Sequence, residues 1–458
     1  MAKQKFDYDL VVIGSGASGS VAADIVASAK WRVAMVENDE IGGETANWSS
    51  IPSKALLRAA EVYDDAKVQG PQLGLRSGSI GYNYPSVKAY KDAVLRKSGS
   101  KSFESYYKSK GITLLKGHAH FISPHEITIE RRHISAAHFL IATGSKPVDG
   151  KVQGLDKAPY LTPRTALDVI RPPKTLFIIG AGASGCEFAN LFSAFGSKVY
   201  IADEAARILP KEDQEVSEAI EHMFRHQRGV TPLTHAKVIR IAKIGLMTAV
   251  TFLVGSDEHV VKVDQVLLTA GQEPMVDIGL ENAKVEHTKN GVKTDEYLTT
   301  STKHIYAAGN VLGRFMYTHT GVYEGRIVAN NLLNPKQLIS PDYTAVPRVT
   351  FVGPEVASVG LSESDCLKRD LRIRTAVAPL NIIARATIDN VTNGFVKVIT
   401  DKKGLLLGAS IVAPHAGESI HELTLAIQHG LSAANVAGTL HAFPTWSEAI
   451  RVACAKIK

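Results

Sequence analysis

Tyr8-Asp9-Leu10-Val11-Val12-Ile13-Gly14-Ser15-Gly16-Ala17-Ser18-Gly19 sets an apolar, β-branched run against three spaced glycines. The run reads as a buried strand, the glycines as a tight turn, and the small-residue stretch continuing to Ala29 as a helix. In such a unit Gly14 permits the turn, Gly16 lets the backbone approach a pyrophosphate, and Gly19 lets helix and strand pack closely. The phosphate then sits at the helix N-terminus, where unpaired N–H groups point outward. A second strand, residues 32–36, ends at Glu37, about 20 residues past the first glycine, where a carboxylate meets the adenosine ribose. Three spaced glycines alone are often only a turn; strand, turn, helix, strand and acid in that order specify a dinucleotide site.

The same grouping recurs about 165 residues later. Residues 175–179 form the strand, Gly180-Ala181-Gly182-Ala183-Ser184-Gly185 the turn, and the following helix holds Cys186 and Glu187. The next strand, 198–202, ends at Asp203. An acid here favours a free ribose 2′-hydroxyl, hence NAD(H) over NADP(H), although Arg207 and Lys211 leave room for a 2′-phosphate. Strand-to-glycine turns appear at Ala142-Thr143-Gly144, at 264–271 and at Ala307-Ala308-Gly309-Asn310.

Between the two fingerprints, residues 55–66 and 84–110 carry helical patterns around a glycine-rich break at 70–81. A β-rich segment, 111–141, follows with His118, His120, His125, His133 and His138. Alternating histidines on a strand can form a metal site, but no set of Cys, Asp or Glu ligands accompanies them, so they read as solvated hairpin residues. After about 343 the texture changes to short strands punctuated by Pro and Gly, then a helix over 415–429 and a helical C-terminus, an α+β pattern.

The 458 residues exceed one ordinary core and suggest about three domains. A content of 45% hydrophobic and 21% charged residues is that of a soluble globular protein. The formal charge of +7 is spread along the chain rather than gathered in a basic block, which gives no case for nucleic acid. No apolar run reaches the ~18 residues of a membrane span, and residues 1–9 lack the features of a signal peptide. A cytoplasmic location is expected. Cys186, Cys366 and Cys454 lie far apart, without paired spacing, as packing cysteines do.

Taken together, these blocks resemble the pyridine nucleotide–disulfide oxidoreductases, the flavoprotein family of dihydrolipoamide dehydrogenase and mercuric reductase, from about Tyr8 to Ala453. The resemblance implies an α/β fold of two Rossmann-like domains plus a C-terminal α+β dimerisation domain. FAD would occupy residues 1–148 with 271–342, NAD(P) residues 149–270, and a homodimer would form through 343–458. Ala142-Thr143-Gly144 and Ala307-Ala308-Gly309-Asn310 match the two crossover motifs of the FAD domain. Ile51-Pro52-Ser53-Lys54 matches the start of the helix beneath the flavin, with Lys54 pairing near flavin N5 with a glutamate matching Glu187. A fixed positive charge there stabilises the reduced, anionic flavin. His319, in Tyr317-Thr318-His319, falls in a segment that approaches the flavin in relatives; it reads as a structural hydrogen-bonding residue first and as a second proton-relay candidate after that.

Three departures from the family pattern bear on chemistry. The family's redox motif is Gly-Gly-x-Cys-x4-Cys-x-Pro-Ser-Lys, and its two cysteine positions are Thr45 and Ser50 here. A hydroxyl has neither the low pKa nor the two-electron oxidation of a thiol. In His441-Ala442-Phe443-Pro444-Thr445-Trp446-Ser447-Glu448 the family's catalytic histidine is Phe443, while the orienting Glu448 remains. A phenyl ring carries no proton. The aspartate that hydrogen-bonds the flavin ribityl chain is Asn310, whose amide still accepts.

The resulting expectation is an NAD(P)H-dependent flavoprotein without a redox-active disulfide, passing electrons to a small-molecule acceptor: a quinone or other oxidant, oxygen, a metal ion or a second nicotinamide. Trp48 and Phe443, with Trp446 adding to them, would either make the vacated pocket apolar or serve ordinary packing, and Glu448, desolvated by Phe443, would donate the proton. Mercury reduction fits poorly, because a C-terminal cysteine pair delivers the metal in mercuric reductases and only Cys454 stands here. The alternative is a non-catalytic or sensing FAD-binding dimer.

Overall fold

The computed structural model describes residues 5–76, 78–98, 103–148 and 152–458. Residues 1–4, part of the stretch 1–9 read for signal-peptide features, and the expected junction at 149 lie outside them. Two compact units emerge: Met1–Ala55 with Lys88–Asp149 and Gly271–Pro341, and Leu56–Val87 with Gly150–Ala270 and Asp342–Lys458.

In the first unit the strands Tyr8–Ile13, Val33–Glu37, Thr113–Lys116, Arg132–Ile141 and Ile305–Ala307 pair in parallel, with the hairpin strands Ala119–Ser123 and Glu126–Ile129 continuing the sheet. Parallel strands are buried on both faces, which is why they read as continuous apolar runs. Leu10, Val11 and Val12 are fully buried with Phe139, Leu140 and Ile141, each large side chain contributing about 1.5–3 kcal/mol. Register brings Ile13, Ile141 and Ala307 level across the sheet. Ala142 N–H then donates to the Ile13 carbonyl (2.8 Å), and Ala308 N–H to the Ile141 carbonyl (3.1 Å). The turns at Gly14, Ala142 and Ala308 therefore leave the sheet side by side.

In the second unit Val230–Leu233, Lys198–Ala202, Thr175–Ile179 and Gln265–Leu268 form a second parallel sheet, accompanied by the antiparallel strands Ala236–Ile244, Met247–Val254 and Asp257–Val263. Five antiparallel strands, in the order Arg348–Thr350, Glu355–Gly360, Leu406–Ala413, Phe395–Asp401 and Ile373–Pro379, make the C-terminal sheet. The helices Ala416–Gln428 and Glu448–Ala455 supply Ile420, Leu423, Ala449 and Ile450 to its core.

Two expectations shift. Residues 56–87, assigned by sequence to the FAD part, bury Leu56, Leu57, Ala60 and Tyr84 among Leu176, Phe192 and Phe195 of the second unit. The helical pattern over 84–110 is two helices, Tyr84–Lys97 and Phe103–Ser109, with 99–102 outside the described residues.

Candidate functional site

Each glycine fingerprint builds the same cradle. Gly14 has φ +106° and Gly180 φ +104°, in the left-handed region that favours glycine. A Cβ on Gly14 would fall on the Ala142 carbonyl, and one on Gly180 would lie 2.8 Å from the Thr269 carbonyl. A Cβ on Gly19 or Gly185 would fall on the carbonyl of the first glycine of its own turn. Beside Gly16 and Gly182 a Cβ would meet nothing within 4 Å. The outer glycines thus close the turn while the middle one faces open space. Helices Ala17–Ser28 and Ala183–Ala194 start there with no side-chain cap, leaving their first N–H groups for an anion.

The acids are tied to these loops. Glu37 accepts the Ser15 N–H (3.0 Å) and hydroxyl (2.6 Å) on one oxygen and the Asp39 N–H (2.8 Å) on the other. Asp203 accepts the Ala181 N–H (2.7 Å) and the Ala205 N–H (2.9 Å). A carboxylate has about four acceptor positions, so each retains capacity for ribose hydroxyls. Arg207, the nearby candidate for a 2′-phosphate, donates to the Glu212 carbonyl at 3.2 Å. The open glycine, the uncapped helix and the fixed acid together fit a dinucleotide pyrophosphate and ribose in both units.

Against the first cradle lies the helix Gly43–Asn47. Gly42 N–H donates to Ser15 Oγ (3.0 Å), and a Cβ on Gly43 would lie 2.8 Å from Gly16 Cα. Thr45 on this helix shares a 2.8 Å hydrogen bond with the Thr318 hydroxyl, at the start of the helix Thr318–Leu333. His319 stacks on Tyr317 with ring centroids 5.4 Å apart. Ser50 begins the helix Ser50–Asp64, which carries Lys54 one turn on. Thr143 donates to the Met275 carbonyl (2.6 Å), and Gly144 takes φ +75°. Asn310 donates through Nδ2 to Ser145 Oγ (2.9 Å).

Lys54 belongs to the first unit and Glu187 to the second. Glu187 is 8% exposed, and its carboxylate accepts the Phe351 N–H at 3.0 Å. In the C-terminal motif Phe443 is 73% exposed. Glu448 has Arg451 at 3.8 Å from one carboxylate oxygen, while the other is buried without a hydrogen-bond partner. Arg451 is thus a charged neighbour of this acid, and one of its two carboxylate oxygens is shielded from solvent. Of the two roles open to Trp446, the structure shows packing: it is buried in the C-terminal core with Leu423 and Ala449.

The three cysteines are free and buried. Burial raises the thiol pKa of all three, that of Cys454 to about 12, so thiolate is scarce at neutral pH. The hairpin histidines are not uniformly solvated: His125 stacks on His304 at 3.8 Å and His138 packs near Trp31, while His133 pairs with Glu126 at 2.8 Å. Among the described residues no group of three or more His, Cys, Asp or Glu is placed to hold a metal.

Two polar contacts escaped the sequence reading. Glu324, 2% exposed, accepts the Gly309 N–H at 2.6 Å and fixes the turn leading to Asn310. His441 contacts the Glu422 carboxylate through Nε2 (2.8 Å) and the Thr439 carbonyl through Nδ1 (2.9 Å). A lone acid within a small-residue helix was the available signal for the first. The second needs the fold, because Glu422 and His441 sit on different elements.

Residues 8–325 match the family described as pyridine nucleotide-disulphide oxidoreductase, and residues 346–454 match its dimerisation domain. The chain belongs to this family. A mercuric reductase of Staphylococcus aureus is 33% identical over 451 residues, spanning 98% of this chain and 82% of that protein. A dihydrolipoyl dehydrogenase of Chlamydia pneumoniae is 33% identical over 449 residues, spanning 96% of this chain and 95% of that protein. The HOCl-induced flavoprotein disulfide reductase RclA from Escherichia coli superposes with a TM-score of 0.88 at 27% identity, spanning 98% of this chain and all of that one. Membership in the pyridine nucleotide-disulphide oxidoreductases brings FAD and a nicotinamide nucleotide as cofactors. No helix among the described residues is long and apolar enough to cross a membrane.

Proposed function

We propose that this protein is a homodimeric, FAD-dependent NAD(P)H oxidoreductase that works without a redox-active disulfide and hands electrons to a small-molecule acceptor. When bound, the nicotinamide supplies a hydride and the flavin stores its two electrons. This chain's own part is to hold the two dinucleotides in the two cradles, to carry Lys54 on the helix that begins at Ser50, and to leave the position over Thr45 and Ser50 free of thiols.

One observation carries the reading: Thr45 and Ser50 stand at the family's cysteine positions, and all three cysteines that the chain does have are buried with raised thiol pKa values. Phe443 at the histidine position is consistent with it, since thiol chemistry and its proton carrier are lost together. Arg207, engaged with the Glu212 carbonyl, and Asp203, fixed at the second cradle, support NAD(H) over NADP(H). The intact second cradle speaks against a purely sensing FAD dimer, which has no use for it.

Anaerobic titration of the flavin-loaded protein with NADH and NADPH, followed by absorbance, tests this. Expected is bleaching by NADH at lower concentration than by NADPH, with no long-wavelength thiolate–flavin band. A protein that neither nucleotide bleaches refutes the enzyme reading, and a thiolate band refutes the disulfide-free one. Reoxidation by quinones, oxygen, a nicotinamide analogue, lipoamide, Hg(II) and Cu(II) then sorts the acceptor class. The last three follow from the names of relatives: dihydrolipoyl dehydrogenase, mercuric reductase, and a Cu(II) complex of RclA.

A further inference from the structure

At the carboxyl ends of the first unit's strands, three uncharged side chains form a closed hydrogen-bonded group. Ser145 Oγ donates to Gln272 Oε1 at 2.6 Å. Asn310 Nδ2 donates to Ser145 Oγ at 2.9 Å and reaches Gln272 Oε1 at 3.5 Å. A serine hydroxyl has one hydrogen. Once that hydrogen goes to Gln272, Ser145 offers only lone pairs to Asn310, and the amide must turn its NH2 towards Ser145. The Asn310 Oδ1 is left as an acceptor that takes no hydrogen bond from a described residue.

The sheet says what that acceptor meets. Val33–Glu37 lies on one side of the fingerprint strand Tyr8–Ile13; Arg132–Ile141 and then Ile305–Ala307 lie on the other. Glu37 is thus one strand from the open glycine in one direction, and the turn bearing Asn310 is two strands away in the other, about 10 Å at ordinary strand spacing. A dinucleotide with its pyrophosphate at Gly16 and its adenosine ribose at Glu37 must extend its second half across Ser145 and Asn310. Ligands of such sheets lie in the crevice outside these strand ends. In FAD that half begins with a chain of hydroxyl groups, each able to donate to Oδ1.

We infer that Ser145 and Gln272 are positioning residues that lock Asn310 as a neutral acceptor for the hydroxylated chain of FAD, and that this neutrality sets the flavin's potential higher than a carboxylate would. The inference rests on the FAD site of the proposed function and concerns its tuning. A negative charge here disfavours the electron-rich form of the flavin; an amide keeps the hydrogen bond and omits the charge. Ser145 opens the strand Ser145–Pro147 and Gln272 the strand Gln272–Pro274; these pair antiparallel with Ser145 opposite Pro274 and Gln272 opposite Pro147, so the long Gln272 side chain reaches Ser145 diagonally across the ladder.

The test uses FAD-loaded protein reduced by dithionite against a reference dye, with FAD affinity measured by flavin fluorescence on the apoprotein. Asn310→Asp should retain FAD and lower the preference for reduced over oxidised flavin about tenfold, a shift of about 30 mV to more negative potential. Ser145→Ala should weaken FAD binding about tenfold, and Ser145→Thr should restore it. Gln272→Glu, which still accepts from Ser145, should move the potential in the same direction by a smaller amount, and it serves as the charge test if Asn310→Asp does not fold. An unchanged potential in the charge variants overturns the inference, as does a Ser145→Thr protein as weak as Ser145→Ala. Because dithionite replaces NADH, a protein that NADH cannot bleach but whose variants shift as stated refutes the proposed function alone. One that NADH bleaches but whose variants match the wild type refutes only the inference.

Discussion

Replacing Lys397 by methionine should destabilise the second unit by about 3–5 kcal/mol at neutral pH, the cost of stranding a buried charge by removing its partner. The Lys397 side chain is 1% exposed, and its Nζ lies 3.2 Å from Asp213, 2.9 Å from Glu215 and 3.0 Å from Glu363. The three acids are not equivalent. Glu215 and Glu363 are 44% and 38% exposed and can rehydrate, so each contributes at most about 1 kcal/mol. Asp213 is 3% exposed and cannot. Burial already raises the Asp213 pKa against the pull of Lys397. Burial works against the lysine's charge too, yet Glu215 and Glu363 hold its pKa above the ordinary value. The lysine's contribution is therefore present across the neutral range and lost only in strong alkali. Without the lysine, Asp213 should titrate still higher and escape its penalty by taking a proton. The variant should thus recover stability, relative to wild type, as pH falls from 8 towards 5, because its folded state then binds more protons than its unfolded state. Thermal unfolding at pH 8 should show a Tm lower by roughly 6–20 °C, with the gap narrowing at pH 5. A loss below about 1 kcal/mol, the value of an exposed pair, or a loss independent of pH, refutes the account.

Two further outcomes follow from the same kind of accounting. Gly16→Ala and Gly182→Ala should fold with unchanged Tm, because both glycines have ordinary φ and open space where the methyl goes. Fluorescence titration should nonetheless show the first weakening FAD and the second weakening NADH by about tenfold or more, whereas Gly14→Ala should fail to fold stably. Burial holds the His138 and His304 imidazoles below their ordinary pKa, so the unfolded chain takes up protons first and stability should fall as pH drops below about 6.5. In circular dichroism melts His138→Phe should flatten that acid limb; an equally steep limb counts against the assignment.

Much of the fold was legible because strand, glycine turn, helix and acid are local and their spacing is dictated by backbone geometry. Tyr8–Ile13, Thr175–Ile179 and Lys198–Ala202 are strands with the bounds that the apolar runs indicate. The helix Thr318–Leu333 escaped notice because glycines and paired asparagines break its pattern; its place against Ala17–Ser28 supplies what propensity does not. Trp446 left a pocket role and a packing role equally open, because its motif neighbours are site residues while an indole also suits a core, and the C-terminal sheet and the helix Glu448–Ala455 decide for packing. The histidines of 118–138 alternate as hairpin residues should, yet His125 and His138 are packed by the chain that returns at His304.

By itself the sequence determined the two glycine cradles, their acids, and the identities of Thr45, Ser50 and Phe443, since all of these are matters of residue identity at fixed local spacing. Only the tertiary structure decided which polar groups are already spent. Thr45 is bound to Thr318, Arg207 to a carbonyl, and Asn310 to Ser145 from a different strand. A hydrogen bond between residues distant in the chain depends on sheet register and helix packing, and a side chain's free lone pair is known only after those partners are in place.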